Sequence, residues 1–144
     1  MSLSQSELRR DPVTGHWVIL APDRARRRGA FLREPLPVQD PATCPFCPGH
    51  EADTPPEVLS YRDSGAANQP GWWMRAVPNK YPALRVEGDV DASAFGLFDR
   101  MNGIGAHEVV IETPDHTASL ADLTEERLAH VFFAYRDRIH DLRR

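Results

Sequence analysis

The chain has 144 residues, 41% of them hydrophobic and 26% charged, which fits one domain of ordinary size that can bury a core. A formal net charge of −4 argues against a general nucleic-acid-binding surface. No apolar run approaches the roughly 20 residues of a membrane span, and the N-terminus lacks the apolar middle region of a secretory signal. We therefore expect a cytoplasmic protein with neither a membrane nor a nucleic acid as partner.

The first predicted element is a hairpin near the N-terminus. Residues 16–20 (HWVIL) are a short β-type run, and residues 11–15 (DPVTG) before them have strong turn chemistry. Residues 23–33 then carry five arginines. Such a run is either a solvated basic segment or an anion site, because guanidinium groups recognise phosphate well.

The next segment, residues 33–71, is rich in Pro, Gly, Asp and Ser, which predicts loops with little regular structure. It holds the chain's two cysteines, Cys44 and Cys47, on either side of a Pro-Phe pair. This spacing suits a disulfide, a redox pair or half of a metal site. A reducing compartment disfavours the disulfide, and the prolines around the thiols disfavour the helix of a thioredoxin-type pair. A zinc knuckle fits better, since both thiolates can reach one ion that holds the loop in place.

The middle of the chain carries the rest of the predicted sheet. Residues 72–78 (WWMRAVP) and residues 82–88 (PALRVEG) are predicted as strands, whereas residues 91–106 look irregular. Residues 107–114 (HEVVIETP) alternate as a half-buried strand does, and we expect this strand to be central. The alternation places on one face Val109 and Ile111, and on the other Glu108, Val110 and Glu112.

A long helix is the clearest prediction for the last third of the chain. Thr124 can cap it, and Glu125 and Glu126 suit its positive N-terminal end. Six apolar residues recur at helical spacing and predict a stripe that packs on the sheet: Leu128, Val131, Phe132, Tyr135, Ile139 and Leu142. Together the elements predict an α+β fold with one mainly antiparallel sheet and one long C-terminal helix.

Four segments, between Glu7 and the final helix, carry a family resemblance: DPVTGHWVILAPDRARR, CPFCPGHE, VPNKYPAL and GAHEVVIETPDHTASLADLT. In this order they resemble the N-terminal half of the galactose-1-phosphate uridylyltransferase family, a branch of the histidine-triad superfamily. The resemblance implies one histidine-triad-like domain over residues 1–144. It also implies an enzyme of galactose metabolism that transfers a nucleoside monophosphate from UDP-glucose to galactose 1-phosphate, through a nucleotidyl-histidine intermediate. Relatives pair into homodimers, so a homodimer is implied for the full-length form.

The resemblance implies a ligand set for zinc. In relatives the CxxC pair and a histidine of a Pro-Asp-His motif bind the ion, which corresponds here to Cys44, Cys47 and His116. His116 follows a strand and a Pro-Asp turn, where an imidazole is free to point at a metal. His50, three residues after Cys47, is an alternative ligand at short range.

The other histidines are not expected to bind metal. His107, at the head of a strand, is expected to orient a loop or to pack. His130 and His140 lie off the apolar stripe of the helix and are expected to be exposed, and His16 is expected to face solvent.

The resemblance also implies contacts to the nucleotide. Relatives use two arginines of a Pro-x-Arg-Ala-x-Arg segment on the phosphates, which correspond to Arg24 and Arg27. Fixed guanidinium groups suit that role because negative charge accumulates on the phosphoryl oxygens in the transition state. Asn79 corresponds to a nucleoside contact, and its amide can both donate and accept. Phe46, between the cysteines, either lies against the base or packs under the loop.

The sequence departs from the family pattern in one motif. Relatives carry the nucleophile in a His-Pro-His motif beyond the long helix, and its first histidine is the fourth zinc ligand; these 144 residues contain no such motif. We therefore expect an incomplete domain that is inactive alone, with the nucleophilic histidine beyond Arg144. Two alternatives stay open. One is an adenylyl-transferring relative that uses ADP-sugars or dinucleoside polyphosphates, and the other is a zinc-knuckle binding module without catalysis.

Overall fold

The computed structural model describes residues 5–25 and 40–143. The chain divides into two units, the first formed by Met1–Pro35 and Tyr81–His107 and the second by Leu36–Lys80 and Glu108–Arg144. No helix among the described residues is long and apolar enough to cross a membrane. In chain order the elements are β1 (Glu7–Arg10), β2 (Trp17–Leu20), α1 (Pro22–Ala25), β3 (Leu59–Arg62), β4 (Trp72–Pro78), β5 (Ser93–Phe95), β6 (Phe98–Asn102), β7 (Glu108–Ile111) and α2 (Glu125–Leu142).

The first unit contains a four-stranded antiparallel sheet with the strand order β2-β1-β6-β5. The predicted N-terminal hairpin is confirmed, since β1 pairs with β2 and places Glu7 opposite Leu20. Its turn has the expected chemistry: one Asp11 carboxylate oxygen accepts hydrogen bonds from the backbone N–H groups of Val13 at 2.8 Å and Thr14 at 2.9 Å. Because these bonds join neighbours in the chain, this hairpin is specified locally.

Two predictions for the later part of this unit are wrong. Residues 82–88, all of them described, form no strand; they make an isolated parallel bridge between Arg85 and Ile104. Val86 is 78% exposed, so its side chain does not pack on a sheet. Residues 91–106, which were expected to be irregular, instead contain the β5–β6 hairpin. Its two-residue turn begins with Gly96 at φ 63°, a conformation that glycine adopts without strain.

The second unit contains a three-stranded antiparallel sheet with the strand order β3-β4-β7. The predicted strand over residues 72–78 is confirmed as β4. Strand β3 is a correction, because it lies inside the segment that was expected to be loop; its pairing with β4, rather than its local composition, makes it a strand. The prediction that β7 is central is also wrong, since β4 is the middle strand of this described sheet.

A β-bulge at Trp73 determines which residues reach each face of the second sheet. Tyr61 pairs with Met74 but Arg62 pairs with Trp72, so Trp73 is the extra residue in the ladder. The bulge therefore directs Trp72 and Met74 to opposite faces, although they are two residues apart. Two separate apolar clusters result: Trp72, Val77 and Ile111, and Met74, Val131 and Ala134.

The predicted alternation along β7 is confirmed by its contacts. Val109 packs against the first of these clusters and Val110 against the second, which includes residues of α2. Glu108 lies on the helix side as well, where its carboxylate pairs with the Arg138 guanidinium at 2.6 Å. The Tyr135 hydroxyl likewise donates to Glu112.

Helix α2 packs on this sheet with a face that overlaps only part of the predicted stripe, since Val131 and Tyr135 belong to both. Thr124 caps it as predicted, because its hydroxyl accepts a hydrogen bond from the backbone N–H of Arg127 at 3.3 Å. Val131 and Ala134 are fully buried. Three members of the predicted stripe are exposed: Phe132 (56%), Ile139 (50%) and Leu142 (48%). The α+β fold with antiparallel strands and a long C-terminal helix is thus confirmed, with the strands in two sheets rather than one.

Candidate metal centre

The two cysteines lie in a run of short turns over residues 40–54, which we call the knuckle loop. A 3₁₀ turn over Pro41–Thr43 begins the loop, and the Asp40 carboxylate caps it. The backbone N–H of Cys47 then donates to the carbonyl oxygen of Cys44 at 3.2 Å. This bond links residues three apart, so the chain reverses between the two cysteines.

The third member of the candidate centre, His116, follows strand β7. One carboxylate oxygen of Asp115 accepts hydrogen bonds from the backbone N–H and the hydroxyl of Thr117, both at 2.9 Å. These bonds hold the pKa of Asp115 below its ordinary value of 3.8, so the carboxylate is ionised at neutral pH. The turn that carries His116 is therefore fixed by its own side chains.

These two segments bring three possible ligand atoms together. The Cys47 Sγ lies 3.2 Å from the His116 Nδ1, and the ligand atoms of Cys44, Cys47 and His116 all lie within 4.8 Å of one another. Cys44 is buried and the other two are half-buried. Burial, together with the adjacent Cys44 thiol, raises the pKa of Cys47 above its usual range.

The donor set fits zinc. Thiolate sulfur and imidazole nitrogen are the ligands of structural zinc sites, and neighbouring ligand atoms in such a tetrahedral site lie about 3.5 to 4 Å apart. The three donors therefore need only a small adjustment to share one ion. They supply three of four tetrahedral positions, and metal binding would displace the thiol protons.

His50 occupies a different position from the one its spacing suggested. Its Nδ1–H donates to the carbonyl oxygen of Cys44 at 2.6 Å, and it does not belong to the group of three possible ligands. His50 thus braces the turn between the cysteines. Its backbone N–H adds a second bond, to the carbonyl oxygen of Cys47 at 3.2 Å.

The remaining histidines match their predictions with one exception. His107 orients a loop as expected, because its Nδ1 accepts from the backbone N–H of Ala83 at 3.0 Å. His16 and His140 are exposed. The prediction for His130 is wrong: it is half-buried, with its ring centroid 5.1 Å from that of Trp73.

The residues predicted to bind the nucleotide fall in separate parts of the structure. Arg24 is exposed in α1 of the first unit, and Arg27 lies outside the described residues. In the second unit, Phe46 is 41% exposed between the two cysteines, which leaves part of its ring accessible to a base. Asn79 is half-buried directly after β4.

Two residues that the sequence did not suggest fasten the knuckle loop to the sheet. Glu51, which is 5% exposed, accepts a hydrogen bond from the Trp72 Nε1–H at 2.7 Å and another from the backbone N–H of Gly49 at 3.0 Å. Nothing in the local sequence pairs Glu51 with a residue 21 positions away. Only the buried setting of an acidic side chain identifies it.

Comparison with known proteins assigns the chain to a family. The family model described as "Galactose-1-phosphate uridyl transferase, N-terminal domain" matches residues 2–144. The chain belongs to the galactose-1-phosphate uridyl transferase family. The family resemblance seen in the four sequence segments is therefore confirmed.

Relatives with two different names match the chain within this family. It is 37% identical to an ADP-glucose phosphorylase of Arabidopsis thaliana over 140 residues, which cover 94% of the chain and 39% of the relative. It is 30% identical to a galactose-1-phosphate uridylyltransferase of Streptomyces lividans over 141 residues, which cover 98% of the chain and 30% of the relative. The chain thus spans less than half the length of these relatives.

A solved structure gives the same picture. The crystal structure of an ADP-glucose phosphorylase from Arabidopsis thaliana with bound ADP-glucose matches with a TM-score of 0.54 and 34% identity. The match covers 94% of this chain and 37% of that chain. The fold and the family therefore agree.

Proposed function

We propose that this chain is the metal-binding N-terminal part of a nucleotidyltransferase that acts on hexose 1-phosphates. The observation that carries the proposal is the convergence of Cys44, Cys47 and His116 in a member of this family. When bound, zinc would supply a structural clamp between the knuckle loop and the turn after β7. Clamping these segments would keep Phe46 in place beside the substrate.

Side chains of this chain would bind the nucleotide while chemistry occurs on a histidine supplied from outside these residues. Arg24 and Arg27 would neutralise the phosphate oxygens, where charge accumulates in phosphoryl transfer. Asn79 would hydrogen-bond the nucleoside and Phe46 would stack on the base. We propose that a His-Pro-His motif outside the 144 residues supplies the nucleophile and the fourth metal ligand.

The first candidate reaction is uridylyl transfer from UDP-glucose to galactose 1-phosphate. The imidazole nucleophile would form a bond to the α-phosphorus as glucose 1-phosphate leaves, and galactose 1-phosphate would then take the uridylyl group and release the histidine. We propose that the full-length form works as a cytoplasmic homodimer. A second candidate, adenylyl transfer from ADP-glucose, is supported by the 37% identity to an ADP-glucose phosphorylase.

Covalent labelling tests this proposal in the longest natural polypeptide that contains these residues. UDP-glucose labelled at the α-phosphate should leave label on a histidine, and galactose 1-phosphate should then remove it as UDP-galactose. A parallel reaction with labelled ADP-glucose decides the base. Labelling by neither nucleotide sugar, in a protein that retains its metal, would contradict the transferase and favour a binding module without catalysis.

A further inference from the structure

The candidate metal centre joins two segments that are distant in the sequence. Cys47 and His116 are 69 positions apart, and they come from the knuckle loop and from the turn after β7. Local hydrogen bonds define each segment separately, as described above. A tetrahedral site tolerates little error in ligand placement, so a contact between the knuckle loop and the sheet is needed to set their relative position.

The Glu51 carboxylate makes such a contact. It accepts from the Gly49 backbone N–H within the knuckle loop and from the Trp72 indole N–H at the start of β4. One buried side chain therefore binds the loop two residues after Cys47 and the sheet at the same time. A buried carboxylate is costly unless donors satisfy it, which makes this pair of hydrogen bonds specific.

Trp72 lies at the end of the sheet from which His116 emerges. In the antiparallel pairing of β4 with β7, Arg75 is opposite Ile111 and Pro78 is opposite Glu108. The N-terminal end of β4 is therefore next to the C-terminal end of β7, and the chain reaches His116 five residues after Ile111. Glu51 thus ties the cysteines to the end of the sheet that carries the third ligand.

We propose that Glu51 is a positioning residue for the metal centre: through Trp72 it holds the knuckle loop where Cys44 and Cys47 meet His116. The proposal rests on the proposed metal-binding function. It adds to that function a buried side chain that is not itself a ligand. Removing a direct hydrogen-bond partner of a metal ligand typically lowers metal affinity about 10- to 100-fold, and Glu51 acts one step further out, through Gly49 and Trp72.

Zinc affinity of the 144-residue chain, measured by competition with a chromogenic chelator, tests the proposal. Glu51→Ala should weaken zinc binding about 10-fold, the lower end of that range, because the Trp72 and Gly49 donors lose their acceptor. Glu51→Gln should fall between this variant and the wild type, since its amide oxygen can still accept one bond. Trp72→Phe should also weaken binding, because it removes the donor on the sheet. Two milder variants keep the test decisive if Glu51→Ala does not fold.

Glu108→Gln is the matched control. Glu108 is another largely buried carboxylate, with 11% of its side chain exposed, but it pairs with Arg138 at the opposite end of β7. Its variant should lower thermal stability while changing zinc affinity by no more than about twofold, as expected for separate sites. The absorption spectrum of bound Co²⁺ should shift in Glu51→Ala and stay unchanged in Glu108→Gln, because only the former alters ligand geometry.

Three outcomes would contradict the positioning role of Glu51 or the metal centre, and the measurements distinguish them. Equal zinc affinity of Glu51→Ala and wild type would refute the positioning role while leaving the metal centre intact. Equal losses in the Glu51 and Glu108 variants would assign Glu51 to general stability instead. Absence of zinc binding by the wild type would refute the metal centre and, with it, the role of Glu51.

Discussion

Arg75 is a fully buried cation on β4, and its guanidinium pairs with the carboxylate of Glu57. Its guanidinium donates to the Glu57 carboxylate at 2.9 Å, and Arg62 pairs with the same carboxylate. The Arg75 Nη1 atom has no hydrogen-bond partner among the described residues. Glu57 is therefore the carboxylate that pairs with this buried positive charge. Removing one partner of such a pair leaves the other charge unpaired, which usually costs more than the pair contributes.

The titration of Glu57 gives a pH-dependent prediction. Burial alone would raise its pKa, but hydrogen bonds from Ser60 and Arg75 and the charge of Arg62 hold it below the ordinary value of 4.5. Because the pKa of Glu57 is lower in the folded state than in the unfolded state, its ionised carboxylate stabilises the fold at any pH above the ordinary pKa of 4.5. This contribution is lost as the pH falls through the folded pKa.

We predict that Glu57→Gln lowers the free energy of unfolding by about 3 kcal/mol at neutral pH, because Arg75 loses its counter-ion. The variant should also lose less stability than the wild type as the pH falls from about 5 to about 3. Urea unfolding followed by tryptophan fluorescence, at neutral pH and then across this acidic range, measures both effects. If the free energy of unfolding fell equally with pH in the two proteins, another group would be responsible for the loss of stability in acid.

Helix α2 shows how a correctly predicted helix can have only part of its buried face predicted, since Val131 is buried as expected and Phe132 is exposed. The helical period and the Thr124 cap are local signals, so the helix and its start were predictable. Which face is buried depends on the sheet, where the bulge at Trp73 places Met74 against Val131. When apolar residues lie on two adjacent faces of a helix, the sequence pattern alone cannot tell which of the two faces is buried.

Two neighbouring substitutions on α2 test this orientation. Val131→Ala should lower the free energy of unfolding by about 2 kcal/mol, because it removes buried methyl groups that pack against Met74. Phe132→Ala should change it by less than about 0.5 kcal/mol, since Phe132 is 56% exposed. Chemical denaturation of both variants provides the measurement. A larger loss in Phe132→Ala than in Val131→Ala would show that the Phe132 side of the predicted stripe, and not the Val131 side, faces the sheet.

The strands divide in the same way between local and long-range signals. The strand over residues 72–78 was predictable because its apolar run is bounded by glycine and by a proline. Strand β3 was missed because a segment rich in turn residues surrounds it, and its pairing with β4 decides its conformation. Residues 82–88 are the opposite case: a strand was predicted from the local sequence, but the segment has no continuous partner strand.

For the molecule as a whole, only the cysteine pair of the candidate site could be predicted from the chemistry of the sequence. The spacing of Cys44 and Cys47 indicated a metal by chemistry alone, because two thiolates so spaced suit one ion. His116 lies 69 residues after Cys47 and could be assigned only through the family resemblance. Glu51 could not be assigned, because burial and its bond to Trp72 exist only in the folded chain.

The metal content of the purified protein is the most direct test of the proposed zinc site of Cys44, Cys47 and His116. Purified wild type, dialysed against buffer with trace zinc, should retain up to about one zinc per chain. Cys44→Ser and His116→Ala should each lose it, while the exposed His140→Ala retains it. Equal zinc content in the wild type and Cys44→Ser, by mass spectrometry of the acid-digested protein, would contradict the claim.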